Sequence, residues 1–143
     1  MKVQVRVLDE DLPLPIYARP GDAGLDLVAA EDVCLQPGGR AAVPTGIAVA
    51  VPEGCAGFVH ARSGRALEEG LALANAPGLI DAGYRGEIRV VVVNLDPGSP
   101  IDIKRGEKIA QLVIQRVESI VLEPVEHLPT SDRGEGGFGS TGR

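Results

Sequence analysis

Val3, Val5 and Val7 fall on one face of the first stretch of chain, and Gln4 and Arg6 on the other. Alternation with period two predicts a half-buried β-strand at the N-terminus. Apolar and β-branched runs predict further strands over 32–35, 41–51, 55–61, 87–94, 100–103 and 109–125. Turn chemistry separates them, as at Gln36-Pro37-Gly38-Gly39, Pro52-Glu53-Gly54 and Asp96-Pro97-Gly98. Residues 88–93 are apolar except for Arg89, so this strand is expected to be covered on both faces, by a second sheet or by another subunit. Only 63–70 reads as a helix, with Ser63 as N-cap, good helix formers over 65–69 and Gly70 as a left-handed stop. The pattern predicts an all-β sandwich or barrel with one short helix.

Composition sharpens that picture. Hydrophobic residues make up 44% of the 143, but aromatics only 3%, and Trp is absent, so a single-domain core must be packed from aliphatic side chains. The 19 Gly and 11 Pro break the chain too often for a helical bundle. A net charge of −6 argues against a nucleic-acid coat, whose affinity comes from clustered Lys and Arg on phosphates. Cys34 and Cys55 have neither the density of a disulfide scaffold nor metal-ligand spacing, no apolar run reaches membrane-spanning length, and residues 1–8 do not read as a signal peptide. A reducing cytoplasm and small soluble partners are the expectation. His60 and His127 stand alone and read as structural or surface residues.

Several short segments carry possible chemistry, each with a plainer reading beside it. Arg62-Ser63-Gly64 stands where a strand gives way to the predicted helix and offers a guanidinium, a hydroxyl and free N–H donors to a phosphate; it also reads as a simple cap beside a solvated arginine. Residues 75–87 read as a hairpin turning at Asp81-Ala82-Gly83. There Asp81 and Tyr84 would serve as general base and ring surface, or as ordinary turn and strand residues. Asp26 lies between Leu25 and Leu27, where shielding from water calls for a partner such as a metal, its bound water or local backbone donors. Gln111 interrupts the apolar run 109–114 as an edge residue or a ligand contact. The tail from Thr130 has five Gly in 14 residues and one apolar side chain, Phe138, so alone it should stay mobile. Gly134, Gly136 and Gly139 fit GxGxxG, but no strand or helix frames them and a P-loop lysine is missing. The tail is left as a disordered terminus or as a strip able to wrap an anion and lay Phe138 on a flat ligand.

Taken in order, AGLDL at 23–27, RSG at 62–64, the hairpin at 75–87, the Gln111 strand and RGEGGFGST at 133–141 resemble the five motifs of the trimeric dUTPases. The resemblance spans residues 23–141 and implies a jelly-roll β domain over 1–129 with a flexible C-terminal arm over 130–143. It also implies a homotrimer whose active sites are shared between subunits and Mg²⁺-dependent hydrolysis of dUTP to dUMP and pyrophosphate, which limits uracil in DNA and supplies dUMP for thymidylate synthesis. On that resemblance Asp81 would activate the attacking water and hold the 3′-hydroxyl, and Tyr84 would stack under the deoxyribose. Asn75 and the backbone of Gly78, Leu79, Ile80 and Asp81 would read the uracil edge. Asp26 would act on Mg²⁺ through coordinated water, while Arg62, Ser63, Gly64 and Gln111 would bind the phosphate chain. Arg133, Gly139, Ser140 and Thr141 would take its γ end, and Phe138 would close over the base.

Ala61 and Arg65 depart from the Pro and apolar residue that often flank RSG in that family; Arg65 would add attraction for phosphate or pair with Glu68 or Glu69. The nearest enzymatic alternative is a dCTP deaminase, which the resemblance places in the same fold and nucleotide class. A nucleotide-holding regulatory module is the alternative of a different kind.

Overall fold

A computed structural model describes residues 1–137. Ten strands and one short helix follow in the order β1 (Gln4–Val7), β2 (Leu25–Val28), β3 (Val33–Leu35), β4 (Arg40–Ala50), β5 (Cys55–His60), α1 (Ser63–Glu69), β6 (Leu71–Leu73), β7 (Gly78–Ile80), β8 (Glu87–Asn94), β9 (Ile101–Ile103) and β10 (Lys108–Arg116). They form two four-stranded antiparallel sheets, β1-β4-β8-β6 and β2-β10-β5-β7, with β3-β9 as a separate pair. Strands distant in sequence lie side by side, as in a jelly-roll sandwich. The core between the sheets is aliphatic, as the composition requires: Leu27, Val43, Leu71, Val90, Val92, Ile103 and Ile109 are its largest fully buried apolar side chains.

Pro44 and Gly46 would both weaken a regular central strand, and the β4–β8 register shifts at that point. Gly46 takes φ +72°. The irregularity is held from β8: Thr45 Oγ1 donates to the Ile88 carbonyl at 2.7 Å, and Glu87 Oε1 accepts the Gly46 N–H at 2.9 Å. Asn94, fully buried, closes the far end of β8. Its amide donates to the carbonyls of Leu35 and Ser99, and its Oδ1 accepts the Asp96 N–H.

Three expectations need correction, and a fourth is met on one face within a single chain. The N-terminal strand forms and pairs with β4, and Val3 packs against the core, but Val5 and Val7 remain about two-fifths exposed (41% and 40%), so the described residues cover that face only in part. The last strand stops at Arg116 instead of 125, because Arg116 pairs with Cys55, the first residue of β5, and the chain there has already turned away at Pro52-Glu53-Gly54. Beyond it Ile120, Val121, Leu122 and Leu128 are highly exposed. In β8, Ile88, Val90 and Val92 are buried whereas Val91 and Val93 are only partly covered, so a single chain closes one face and the other is open to the subunit contact that the sequence also allowed. Ser63 is the first helical residue, not the cap: Arg62 takes the N-cap position in extended conformation without a side-chain capping bond. Gly70 does end the helix with φ +74°.

Candidate functional site

Asp26, Gln111, the loop after β5 and the 75–87 hairpin are all placed by the sheet β2-β10-β5-β7. Gln111 on β10 stands opposite Asp26 on β2 and opposite His60 on β5, and β5 leads directly into Arg62 and α1. On the outer side of β5, Val59 pairs with Gly78 and Phe58 with Leu79. The phosphate-loop candidates, the buried acid and the hairpin are thus set by neighbouring strands of one ladder. In α1 the first backbone bond closes from Ala66 N–H to the Arg62 carbonyl, which leaves the N–H groups of Ser63, Gly64 and Arg65 without an intrahelical acceptor. Arg62, Ser63, Gly64, Arg65, Glu68 and Gln111 line an open cleft of about 260 Å³.

Asp26 is one of three buried polar or charged residues, at 7% exposure. Two cations flank it: Lys108 Nζ is 2.7 Å from Oδ2 and Arg62 Nε is 3.2 Å from Oδ1. Burial by itself pushes the Asp26 carboxyl up. The Lys108 ammonium, the Arg62 charge and the Gln111 side chain together outweigh burial and hold it below its ordinary value. The Arg62 contact is poorly aimed, so Oδ1 and Arg62 Nε, both buried, have no hydrogen-bond partner. An orphaned acceptor of this kind fits a donor brought by a ligand, such as water in the shell of a bound cation. Among the described residues no group of three or more His, Cys, Asp or Glu could hold a metal by itself. A divalent ion would therefore need most of its ligands from water or a bound anion, with Asp26 able to offer one contact.

The hairpin builds a second cleft, of about 210 Å³, whose lining includes Asn75, Gly78, Leu79, Ile80, Asp81 and Tyr84. Gly78 allows close approach there: a Cβ would stand 3.3 Å from Val59 Cβ and 3.5 Å from Asn75 Nδ2. Tyr84 N–H donates to the Asp81 carbonyl at 3.0 Å and closes the turn, while the Tyr84 hydroxyl donates to the Glu87 carbonyl at 2.9 Å. The phenol ring consequently lies over Gly86, where a Cβ would come within 2.6 Å of Cζ. This explains the glycine two residues after the tyrosine. The Asp81 carboxylate is exposed and receives no hydrogen bond from the described residues, so it is free to accept a proton from a ligand or water.

Comparison with known proteins decides the family. The dUTPase family model matches residues 10–142. The chain belongs to the dUTPase family. It is 61% identical to the deoxyuridine 5'-triphosphate nucleotidohydrolase of Thermobifida fusca over 99% of its length and 79% of the relative's, and 54% identical to that of Rhodococcus erythropolis over 99% and 87%. Among solved structures it resembles the Staphylococcus bacteriophage 80alpha dUTPase in complex with dUPNHPP, with TM-score 0.90 and 32% identity over 99% of both chains. A variant dUTPase of phage phi11 of S. aureus, described with a structural Mg(II) ion, superposes with TM-score 0.81 at 30% identity over 89% of this chain and 98% of that one.

Against the dUTPase pattern, one chain brings together Asp26, Arg62, Ser63, Gly64 and Gln111 in one group and the residues of the hairpin in another. The hairpin cleft contains none of the first group. Arg133 is exposed, and its Nε donates to the Gly136 carbonyl at 2.8 Å, so in this chain it serves only its own turn. Phe138, Gly139, Ser140 and Thr141 lie outside the described residues. Arg65 lines the cleft with its charge already paired. Its guanidinium is spanned by Glu69 at 2.6 Å and by Glu107 at 3.2 Å, which ties α1 to the turn before β10; of the two acids expected to pair with it, Glu69 does and Glu68 does not. Lys108 is the site residue that sequence reasoning passed over. Nothing in its local pattern marks it, because its aim depends on the register between β10 and β2.

Proposed function

We propose that this dUTPase-family enzyme hydrolyses dUTP to dUMP and pyrophosphate, limiting uracil in DNA and supplying dUMP for thymidylate synthesis in the cytoplasm. The observation that carries the reading is the joint placement, on one sheet, of a buried acid flanked by two cations, a loop with free N–H donors and a hairpin cleft with an unengaged carboxylate. In this reading the hairpin backbone at Gly78, Leu79 and Ile80, with Asn75, takes the uracil edge. A wrong base edge would leave its polar groups unpaired. Tyr84, pinned over Gly86, presents its ring to the deoxyribose. Asp81 accepts a proton from water as the water oxygen bonds to the α-phosphorus, and the bridging oxygen leaves with pyrophosphate.

Charge developing on the leaving group meets Arg62, the N–H donors of Ser63 and Gly64, and the amide of Gln111. Asp26 is the residue that would hold Mg²⁺, through its water. When bound with the nucleotide, the ion neutralises and orients phosphate oxygens. The hairpin and the phosphate cleft are lined by separate residues, and an apolar groove of about 520 Å³ beside β1 stands open in the single chain. Both features support assembly of three copies with sites completed across subunits. The arm, 130–143, is proposed to close over the loaded site, with Arg133, Gly139, Ser140, Thr141 and Phe138 contacting the nucleotide.

The test is a pyrophosphate-release assay with dUTP, dCTP, dTTP and UTP, with and without Mg²⁺. Turnover of dUTP alone, dependent on Mg²⁺, is expected; ammonia release from dCTP would overturn the reading in favour of a deaminase. In D81A the chain should still bind a non-hydrolysable dUTP analogue while turnover falls by about a thousandfold or more. Undiminished turnover would remove Asp81 as the base.

A further inference from the structure

Lys108 owes its position to an irregularity in the ladder. Gln111 stands opposite Asp26, Ala110 opposite Leu27 and Leu112 opposite Leu25; regular continuation would set residue 109 against Val28, yet Lys108 takes that place. The extra residue lets Ile109 and Ala110 both turn inward, at 1% and 0% exposure. It also swings Lys108 onto the face that carries Asp26 and Gln111. The ammonium then meets Asp26 Oδ2 at 2.7 Å, while Arg62 occupies the opposite side at 3.2 Å from Oδ1. At Asp26 itself two cations face one carboxylate, a local surplus of one positive charge, while Glu68 lines the adjoining cleft. Lys108 is half-exposed and Asp26 is not, so of this pair the ammonium is the charge that solvent and an incoming ligand reach.

We infer that Lys108 is a positioning and selectivity residue of the phosphate site: aimed by the bulge, it screens Asp26 from free divalent cations and presents positive charge to the nucleotide, so that the metal enters already bound to the triphosphate. The inference rests on the dUTP reading above. A free divalent ion approaching Asp26 has to displace the ammonium and sit beside a guanidinium, and among the described residues no group of three or more His, Cys, Asp or Glu is gathered to hold it. A triphosphate carries more negative charge than one divalent ion cancels, so its metal complex is still an anion and is drawn by the same surplus. Electrostatics thus sorts the two arrivals in opposite directions.

The experiment uses the full chain as it assembles, with K108M, which keeps most of the stem and removes the charge, K108Q as a second neutral variant should K108M fold poorly, and K108R, which restores the charge. Mn²⁺ alone is titrated and read by its electron paramagnetic resonance signal; dUPNHPP is titrated separately by calorimetry, with Mg²⁺ and with EDTA. Wild type should show no Mn²⁺ binding at micromolar concentration without nucleotide. The neutral variants should bind dUPNHPP about tenfold more weakly in both conditions, with KM for dUTP rising by a similar factor and kcat changing less, and K108R should recover most of the loss. Micromolar Mn²⁺ binding by the nucleotide-free wild type, or wild-type analogue affinity in the neutral variants, would overturn the inference. Failure of the wild type to release pyrophosphate from dUTP would instead bring down the functional reading, so the two failures are told apart.

Discussion

Gly24 lies just before β2, on the face that Asp26 and Gln111 share, and its replacement by alanine tests how tightly the phosphate site is built. A Cβ at this position would meet Gln111 Cβ at 3.0 Å and its Oε1 at 3.4 Å. Carbon atoms in ordinary contact stand about 3.5–4.0 Å apart, so G24A must displace Gln111, or the start of β2 beside Asp26, by roughly 0.5–1 Å. Overpacking of this kind costs about 1–3 kcal/mol, and the loss of a glycine from the unfolded chain returns about 0.4–1 kcal/mol, so the net destabilisation should be modest, between about 0 and 2.6 kcal/mol. Catalysis is far less tolerant. A misplacement near 1 Å costs on the order of a hundredfold in rate, which predicts a drop of about ten- to a hundredfold in kcat/KM for dUTP. Pyrophosphate release and urea unfolding on the same preparation separate the two effects. A folded G24A with wild-type kcat and KM would show that the bare backbone at 24 is not needed to place Gln111, and the role given to that contact would fall.

Gly64 supplies the contrast, since a Cβ there meets nothing within 4 Å: G64A should leave the urea midpoint unchanged or raised, while analogue binding in calorimetry weakens because the added methyl stands in the phosphate cleft. N94A should destabilise the fold by about 2–4 kcal/mol, because it strands the Leu35 and Ser99 carbonyls and the Asp96 N–H in or near the core; a loss below about 1 kcal/mol in urea unfolding would contradict that account. Arg105 grips both oxygens of Asp9 and its backbone N–H donates to Asp32, and these bonds, with the Lys104 side chain at Asp32, hold both carboxyls below their ordinary 3.8. The stabilisation they bring is therefore complete above pH 3.8 and drains away as pH falls below it. R105A should unfold earlier than wild type in urea at neutral pH, and the gap should narrow near pH 3; an equal gap at both would refute the linkage.

Much of this molecule is legible along the chain because its strands are written in local chemistry. The span of β8, the turns at 36–39, 52–54 and 96–98, the short helix with its Gly70 stop, and the acid and ring at the hairpin mouth all follow from patterns of a few residues. What failed has a common cause. The run after Arg116 is as apolar as the strand before it, but the neighbouring strand ends at Cys55 and offers it no partner. The valine face of β1 is written as a buried face, but the described residues of one chain cover it only in part.

By itself, then, the sequence determined the aliphatic sandwich, the breaks between its strands and the chemical types gathered in five short segments. Only the tertiary structure decided which side chains meet: Tyr84 folded over Gly86, Arg65 paired with Glu69 and Glu107, and Lys108 swung onto Asp26. The physical reason lies in the ladder. Alternation along a strand says that a residue faces one side or the other, but a single bulge against a partner more than 80 positions away reverses the choice, and that count belongs to the pair of strands.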